Sequence, residues 1–83
     1  MSGLTNNERA FVEHYLRALR LPTPRQRQIL QLMANGKTQR EIAIEFGIAY
    51  NSVKNTMRYF RERIGAKSSF HAVAIAMRKG WIK

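Results

Sequence analysis

Residues 38–66 read TQREIAIEFGIAYNSVKNTMRYFRERIGA, and this stretch predicts two helices joined by a short turn. Thr38 and Glu41 have the spacing of a capping box, which satisfies two free backbone amides at the start of a helix. Gly47 is suited to ending that helix, because glycine adopts the left-handed conformation at little steric cost. A longer helix of about residues 49–65 follows, so the stretch has a helix-turn-helix pattern.

The second predicted helix has two chemically different faces. Its apolar residues fall on one stripe of a 3.6-residue helix; they are Val53, Met57, Phe60 and Ile64. The residues that point away from this stripe are amides and charged groups, namely Asn51, Asn55, Arg58 and Glu62, with Lys54 beside them. A helix anchored by one face, with amides and cations on the other, is typical of a major-groove reader. Taken alone, a basic face is equally consistent with a solvated surface.

The composition favours a partner of negative charge. The chain has 83 residues, enough for one domain, and no cysteine, which excludes disulfides and thiolate metal sites. The net charge is +10, of which residues 22–83 carry +9. Such a field steers a small domain toward DNA, RNA or an anionic membrane. A membrane partner is disfavoured, because the basic helix lacks the broad apolar face of interfacial helices.

Three further helices are predicted around the central stretch, and no strand pattern is present, so the predicted fold class is all-α. The first runs to about Arg20, and its apolar face contains Phe11, Val12, Tyr15, Leu16 and Leu19. We expect this face to fold back onto the domain or, alternatively, to contact a second chain. Another helix starts at Thr23 and Pro24, and its buried face contains Ile29, Leu30, Leu32 and Met33. The last runs from about Phe70 to Lys79, with an inner face of Ala72, Val73, Ala76 and Met77.

The sequence shows no pattern of an enzyme or of a bound cofactor. His14 and His71 are far apart and lack metal-ligand spacing. No phosphate-binding or dinucleotide-binding glycine pattern occurs. We therefore predict no catalytic site, no metal and no cofactor.

Several motifs together resemble the LuxR/GerE-type DNA-binding domain. They are TPRQRQIL at 23–30, ANGKT at 34–38, EIA at 41–43, Ile48, SVKN at 52–55, AV at 72–73 and GWI at 80–82. The resemblance spans residues 22–82 without a gap. It implies a four-helix bundle containing a helix-turn-helix, here residues 22–83. The amphipathic helix predicted in residues 1–21 lies outside the resemblance and is an addition to that bundle. The resemblance also implies a bacterial transcription regulator that dimerises through its last helix.

The resemblance and the face of the second helix together suggest a set of site residues. Base contacts are expected from Asn51, Lys54, Asn55 and Arg58. Phosphate contacts are expected from Arg25, Thr38, Arg40, Ser52, Arg61 and Lys67. A dimer interface is expected from Val73, Ala76, Met77 and Trp81. Double-stranded DNA, a second copy and RNA polymerase are the expected partners, and no membrane, in a cytoplasmic protein associated with the nucleoid.

The chain departs from the family pattern at several positions. Gln26 stands where the family usually has glutamate, and Thr56 replaces a common histidine. Ala49 replaces the usual serine cap of the recognition helix, so that helix is expected to start later, with Asn51 as cap, or to fray. Ile44 and Tyr50 place apolar surface where the family is usually polar.

Three alternatives remain open from the sequence. Residues 21–64 also resemble region 4 of bacterial sigma factors, although the 72–82 tail favours the LuxR-type interpretation. Residues 4–16 resemble the start of phage terminase small subunits, which recognise DNA for packaging. A third alternative is a protein-interaction module whose basic face binds RNA polymerase or an acidic antirepressor. The origin is accordingly either bacterial or phage.

Overall fold

The computed structural model describes residues 3–18 and 21–83 of the chain. Within these residues it has five helices and no strand, which confirms the predicted all-α class. In order they are α1 Asn6–Ala18, α2 Pro24–Ala34, α3 Gln39–Phe46, α4 Tyr50–Ile64 and α5 Ser69–Arg78. The predicted recognition helix and last helix agree with α4 and α5 to within one residue at each end. The end predicted for the first helix, at Arg20, lies outside the described residues.

Reciprocal hydrogen bonds close the starts of three helices. Before α3, the Thr38 hydroxyl accepts a bond from the Glu41 backbone N–H at 3.1 Å, and the Glu41 carboxylate accepts one from the Thr38 N–H at 2.9 Å. Before α2, the Gln26 side-chain oxygen accepts from the Thr23 N–H at 2.9 Å. The amide at this position therefore preserves the capping box that a glutamate would form. The same pattern closes the start of α1.

Helix α4 begins without a side-chain cap. Ala49 occupies the N-cap position in extended backbone and its side chain makes no hydrogen bond there. The later start capped by Asn51 does not occur, because Asn51 lies in the first turn of α4. The expectation of a later start is therefore wrong, and fraying of the first turn stays a prediction.

The core is built around the apolar face of α4, which packs against α2, α3 and α5. The predicted stripe is confirmed, since Val53, Met57 and Phe60 are at most 1% exposed and Ile64 packs half-buried against them. The other helices and the C-terminal tail contribute Ile29, Leu30, Ile42, Ala43, Ala72, Ala76 and Ile82. Residues 22–83 thus share one core.

Two polar contacts hold the ends of this unit to the core. Arg63 on α4 donates to the carbonyl oxygen of Leu21 at 2.9 Å and to the side-chain oxygen of Gln26 at 3.2 Å. At the other end, Gln31 donates to the Lys83 carbonyl at 3.0 Å and accepts from the Lys83 N–H at 2.9 Å. The C-terminal tail that follows α5, residues 79–83, is therefore part of the folded domain.

The described apolar side chains of α1 lie mostly outside this core. Phe11 is 71% exposed and Tyr15 is 57% exposed, while Val12 is half-buried. The expectation that Phe11 and Tyr15 bury against the domain is wrong for these two side chains. Leu19 lies outside the described residues, as does the side chain of Leu16. The division of the chain at residue 21 stays a prediction.

Candidate nucleic-acid interface

The outward face of α4 carries the four residues predicted to contact bases. Asn51, Lys54, Asn55 and Arg58 are all exposed. Asn51, Asn55 and Arg58 lie on the side of α4 that faces away from the buried stripe, and Lys54 lies at the edge of that side, so core packing fixes the direction in which they point. In the described part of the chain, no hydrogen bond engages the side-chain amides of Asn51 and Asn55. Both amides are therefore available for a ligand.

Of the six residues predicted to contact phosphates, five are exposed: Arg25, Thr38, Arg40, Ser52 and Lys67. The Thr38 hydroxyl already accepts the capping bond, but it keeps its own proton to donate. Arg61 differs, because it is half-buried and its Nε is buried without a hydrogen-bond partner among the described residues.

Two aromatic rings hold arginines that were predicted as phosphate contacts. The Arg25 guanidinium carbon lies 4.4 Å from the centre of the Phe46 ring, which joins α2 to α3. The Arg40 guanidinium carbon lies 4.2 Å from the centre of the Tyr50 ring, and Lys54 Nζ lies 5.3 Å from the same centre. These distances are within the range of cation–π attraction. The sequence prediction treated Tyr50 only as apolar surface; its spacing of four residues from Lys54 was the available signal.

Two of the acidic side chains, Glu8 and Glu41, cap the starts of helices. The hydrogen bond from the Thr38 backbone N–H to the Glu41 carboxylate holds the pKa of Glu41 below its ordinary value. The Thr5 backbone N–H has the same effect on the pKa of Glu8. Hydrogen bonding to the charged form favours that form. Both carboxylates are therefore ionised at neutral pH and committed to helix starts.

The residues predicted for a dimer interface divide between surface and core. Met77 is 53% exposed and Val73 is half-buried, whereas Ala76 is fully buried. Ala76 therefore has no surface to offer a second chain, and its assignment to the interface is wrong. Trp81 is half-buried and packs edge-to-face on Phe60, with ring centres 6.1 Å apart.

Helix α5 has one exposed apolar residue that the sequence prediction missed. Phe70 is 87% exposed and lies on the same side of the helix as Val73 and Met77, since the three recur at helical spacing. The 70, 73, 77 spacing was the signal that could have identified it. Together these three residues form an apolar stripe along α5, in which Phe70 and Met77 are exposed and Val73 is half-buried.

Other kinds of site find no support in the described residues. No group of three or more histidine or acidic side chains in residues 3–18 and 21–83 has the arrangement of a metal site. Within the same residues no helix is both long and apolar enough to span a membrane.

Comparison with known proteins matches this chain to one family. The profile of bacterial regulatory proteins of the luxR family matches residues 22–76. Among curated proteins, the chain is 34% identical over 61 residues to the transcriptional regulatory protein DesR of Bacillus subtilis, covering 74% of this chain and 31% of DesR. It is 38% identical over 56 residues to the transcriptional activator protein TraR of Rhizobium radiobacter, covering 68% of this chain and 24% of TraR.

A shorter relative is matched over most of its length. The chain is 33% identical over 60 residues to the spore germination protein GerE of Bacillus subtilis, covering 72% of this chain and 81% of GerE. The chain thus spans less than a third of DesR and of TraR. No solved structure gives a significant match. None of these matches favours the sigma-factor, terminase or protein-interaction alternatives.

Proposed function

Since this chain belongs to the luxR family of bacterial regulatory proteins, we propose that it regulates transcription by binding a specific sequence of double-stranded DNA. The observation that carries the proposal is the two-sided character of α4. Its buried face is fixed in the core, while its outward face presents free amides and cations. A helix held in this way is suited to the major groove, which is wide enough to admit it.

The base contacts follow from the chemistry of the exposed side chains. The carboxamides of Asn51 and Asn55 have the donor and acceptor pair that matches N6 and N7 of adenine. Arg58 and Lys54 are donors suited to O6 and N7 of guanine. We assign these four residues to sequence recognition and α4 to the groove.

The surrounding cations supply affinity without sequence preference. Arg25, Arg40 and Lys67 are exposed, and the hydroxyls of Thr38 and Ser52 add neutral donors. Contacts to phosphates fix the register of a protein on the duplex, and release of counterions makes them salt-dependent. The charge of +9 on residues 22–83 supports this division of roles.

The proposed assembly on DNA is a homodimer formed through α5. Its support is the exposed stripe of Phe70, Val73 and Met77, together with the resemblance to the family. A two-fold dimer would read an inverted repeat, because the symmetry of the site mirrors that of the protein. One short helix buries little area, so the contact should be weak without DNA.

We place the protein in the cytoplasm with the nucleoid, where a regulator bound near a promoter meets RNA polymerase. RNA polymerase is thus a proposed partner, through whichever surface remains free on DNA.

Selection from random duplexes tests the central claim. The full chain should enrich a short motif from a library of random double-stranded DNA, and that motif should contain adenine and guanine positions read by α4. Binding to all duplexes with equal affinity would contradict sequence recognition. Binding of RNA polymerase with no enriched motif would favour a protein-interaction module instead.

A further inference from the structure

The ring of Tyr50 and two cationic side chains form a cluster at the start of α4. The DNA contacts proposed above assign no role to this ring. Tyr50 opens α4, and Lys54 follows one turn later on the same side of the helix. Arg40 comes from α3, yet its guanidinium carbon is 4.2 Å from the centre of the Tyr50 ring. One side chain thus contacts cations from both helices of the helix-turn-helix.

We propose that Tyr50 is a positioning residue whose ring holds Arg40 and Lys54 together as one phosphate-binding pair beside the base-reading face of α4. This inference rests on the proposed function, because it assigns a role within DNA binding. On this inference Lys54 contacts the DNA backbone instead of guanine, and the base-reading residues are Asn51, Asn55 and Arg58.

The charges around the ring support an anionic ligand. Among the described residues neither Arg40 nor Lys54 has a carboxylate partner, so both positive charges are available to an anion. Long cationic side chains at a surface lose considerable rotamer freedom when they bind. A ring that already restrains both cations reduces that loss, because the pair is arranged before the phosphate arrives.

The position of Tyr50 explains why the ring stays in place. Tyr50 is half-buried and packs against the hydrophobic core, while Arg40 and Lys54 are exposed. The core therefore fixes the ring, and the ring fixes the cations. The other exposed cations at the predicted interface include Lys67, for which no aromatic contact is present within the described residues.

Substitution of the ring provides the test, with the duplex recovered from selection as probe. Tyr50→Phe keeps the ring and should bind as wild type does. Tyr50→Leu keeps an apolar side chain but removes the ring, and it should bind about fivefold more weakly, the size expected for an exposed cation–π contact. Tyr15→Leu is the matched control, because Tyr15 is an exposed tyrosine on α1 with no such cation contact in the described residues.

Two further readouts separate positioning from a merely structural role. The slope of log affinity against log salt should become shallower in Tyr50→Leu by up to about 0.9 for each phosphate that the variant no longer neutralises. In an Arg40→Ala, Lys54→Ala background the same substitution should have no effect on affinity. Thermal unfolding of each variant shows whether the fold is retained.

The free protein gives a readout without DNA. Side-chain protons of Arg40 and Lys54 should show ring-current shifts in wild type and in Tyr50→Phe, and Tyr50→Leu should abolish them. Missing shifts in wild type, or wild-type affinity and salt slope in Tyr50→Leu, would overturn this inference alone. Failure of wild type to prefer any duplex would overturn the proposed function and this inference together.

Discussion

At the scale of single residues, the proposed base contacts and phosphate contacts are distinguished by their location and not by their exposure. Arg58 and Lys67 are both exposed cations, but Arg58 lies on the outward face of α4 and Lys67 in the loop before α5. Their expected effects therefore differ in kind rather than in size. A guanidinium in the groove discriminates between bases, while an ammonium on the backbone does not.

Arg58→Ala should lower discrimination at one base pair by about 1–3 kcal/mol, because alanine cannot form the bidentate hydrogen bonds to guanine. Lys67→Ala should instead weaken binding to all sequences by a similar factor. Affinities for the selected duplex and its single-base variants distinguish the two. An unchanged motif in Arg58→Ala would show that the base assignment is wrong.

The ionised capping carboxylate of α3 predicts a dependence of stability on pH. The pKa of Glu41 is lowered from its ordinary value of 4.5 in the folded protein. The stabilisation that the ionised carboxylate adds to the folded state is therefore fully present above pH 4.5. As pH falls through the lowered pKa, the carboxylate protonates in the folded state and the contribution is lost. Chemical unfolding at pH values from 7 to about 3 should show a smaller acid loss of stability in Glu41→Gln than in wild type. Equal losses in both proteins would mean that the cap has no such role.

At the scale of helices, α4 and α1 differ in how far their apolar side chains are buried in the core. Helix α4 keeps its full length without a side-chain cap, because three of its side chains are buried almost completely. Helix α1 is the opposite case, with a closed capping box at its start but exposed aromatic side chains. A helix of this protein can therefore form with a capping box and little burial, as α1 does, or with extensive burial and no side-chain cap, as α4 does.

Restoring the missing cap should stabilise the domain. In Ala49→Ser the new hydroxyl can accept from a free amide in the first turn of α4, which should add about 0.5–2 kcal/mol to the free energy of unfolding. Ala10→Ser is the control, since Ala10 is exposed within α1, where serine brings only its lower helix propensity. Urea unfolding of both variants gives the comparison. No gain in Ala49→Ser would indicate that water already satisfies these amides.

Substitution of an exposed aromatic on α1 should have little effect on stability. Phe11→Ser should change the free energy of unfolding by less than about 0.5 kcal/mol, because the ring is already in solvent. Phe60→Ala should cost about 3–5 kcal/mol, because Phe60 is fully buried in the core. A large loss in Phe11→Ser would show that α1 packs on the domain or on a second copy in solution. Measurement at several protein concentrations distinguishes those two cases.

At the scale of the whole molecule, charge and apolar surface are arranged for different partners. Residues 22–83 carry +9, which suits DNA, while the stripe on α5 exposes apolar groups that suit a protein surface. Trp81 does not extend that stripe freely, because its ring packs on Phe60 and the following residue, Ile82, is buried. The C-terminal tail thus contributes mainly to the core of one chain.

Met77→Glu should weaken assembly on an inverted repeat without weakening binding to a half-site. Two acidic groups would meet across a two-fold contact, so the coupling energy between half-sites, about 1–3 kcal/mol, should approach zero. Gln28→Glu makes the same charge change at an exposed position on α2 and controls for repulsion from DNA. Gel-shift titrations on single and paired half-sites measure the coupling. Undiminished coupling in Met77→Glu would place the dimer contact elsewhere.

The helices and the two faces of α4 could be predicted from local patterns in the sequence. Capping pairs, glycine positions and the 3.6-residue period are local, so Thr38, Gly47 and the stripe from Val53 to Phe60 could be interpreted from neighbouring residues alone. The basic charge and the helix-turn-helix could be recognised for the same reason. The missing cap at Ala49 was also visible locally, but the start of α4 at Tyr50 was not, because it depends on packing against the other helices.

The contacts between side chains of different helices depend instead on how the helices pack together. Periodicity places Ala76 and Met77 near one face of α5, but the neighbouring helices decide that Ala76 is buried and Met77 exposed. Likewise, Arg40 meets Tyr50 only because α3 and α4 pack together, and Gln31 binds the backbone of a residue 52 positions away. Such contacts depend on the arrangement of distant segments, and no pattern of neighbouring residues specifies that arrangement.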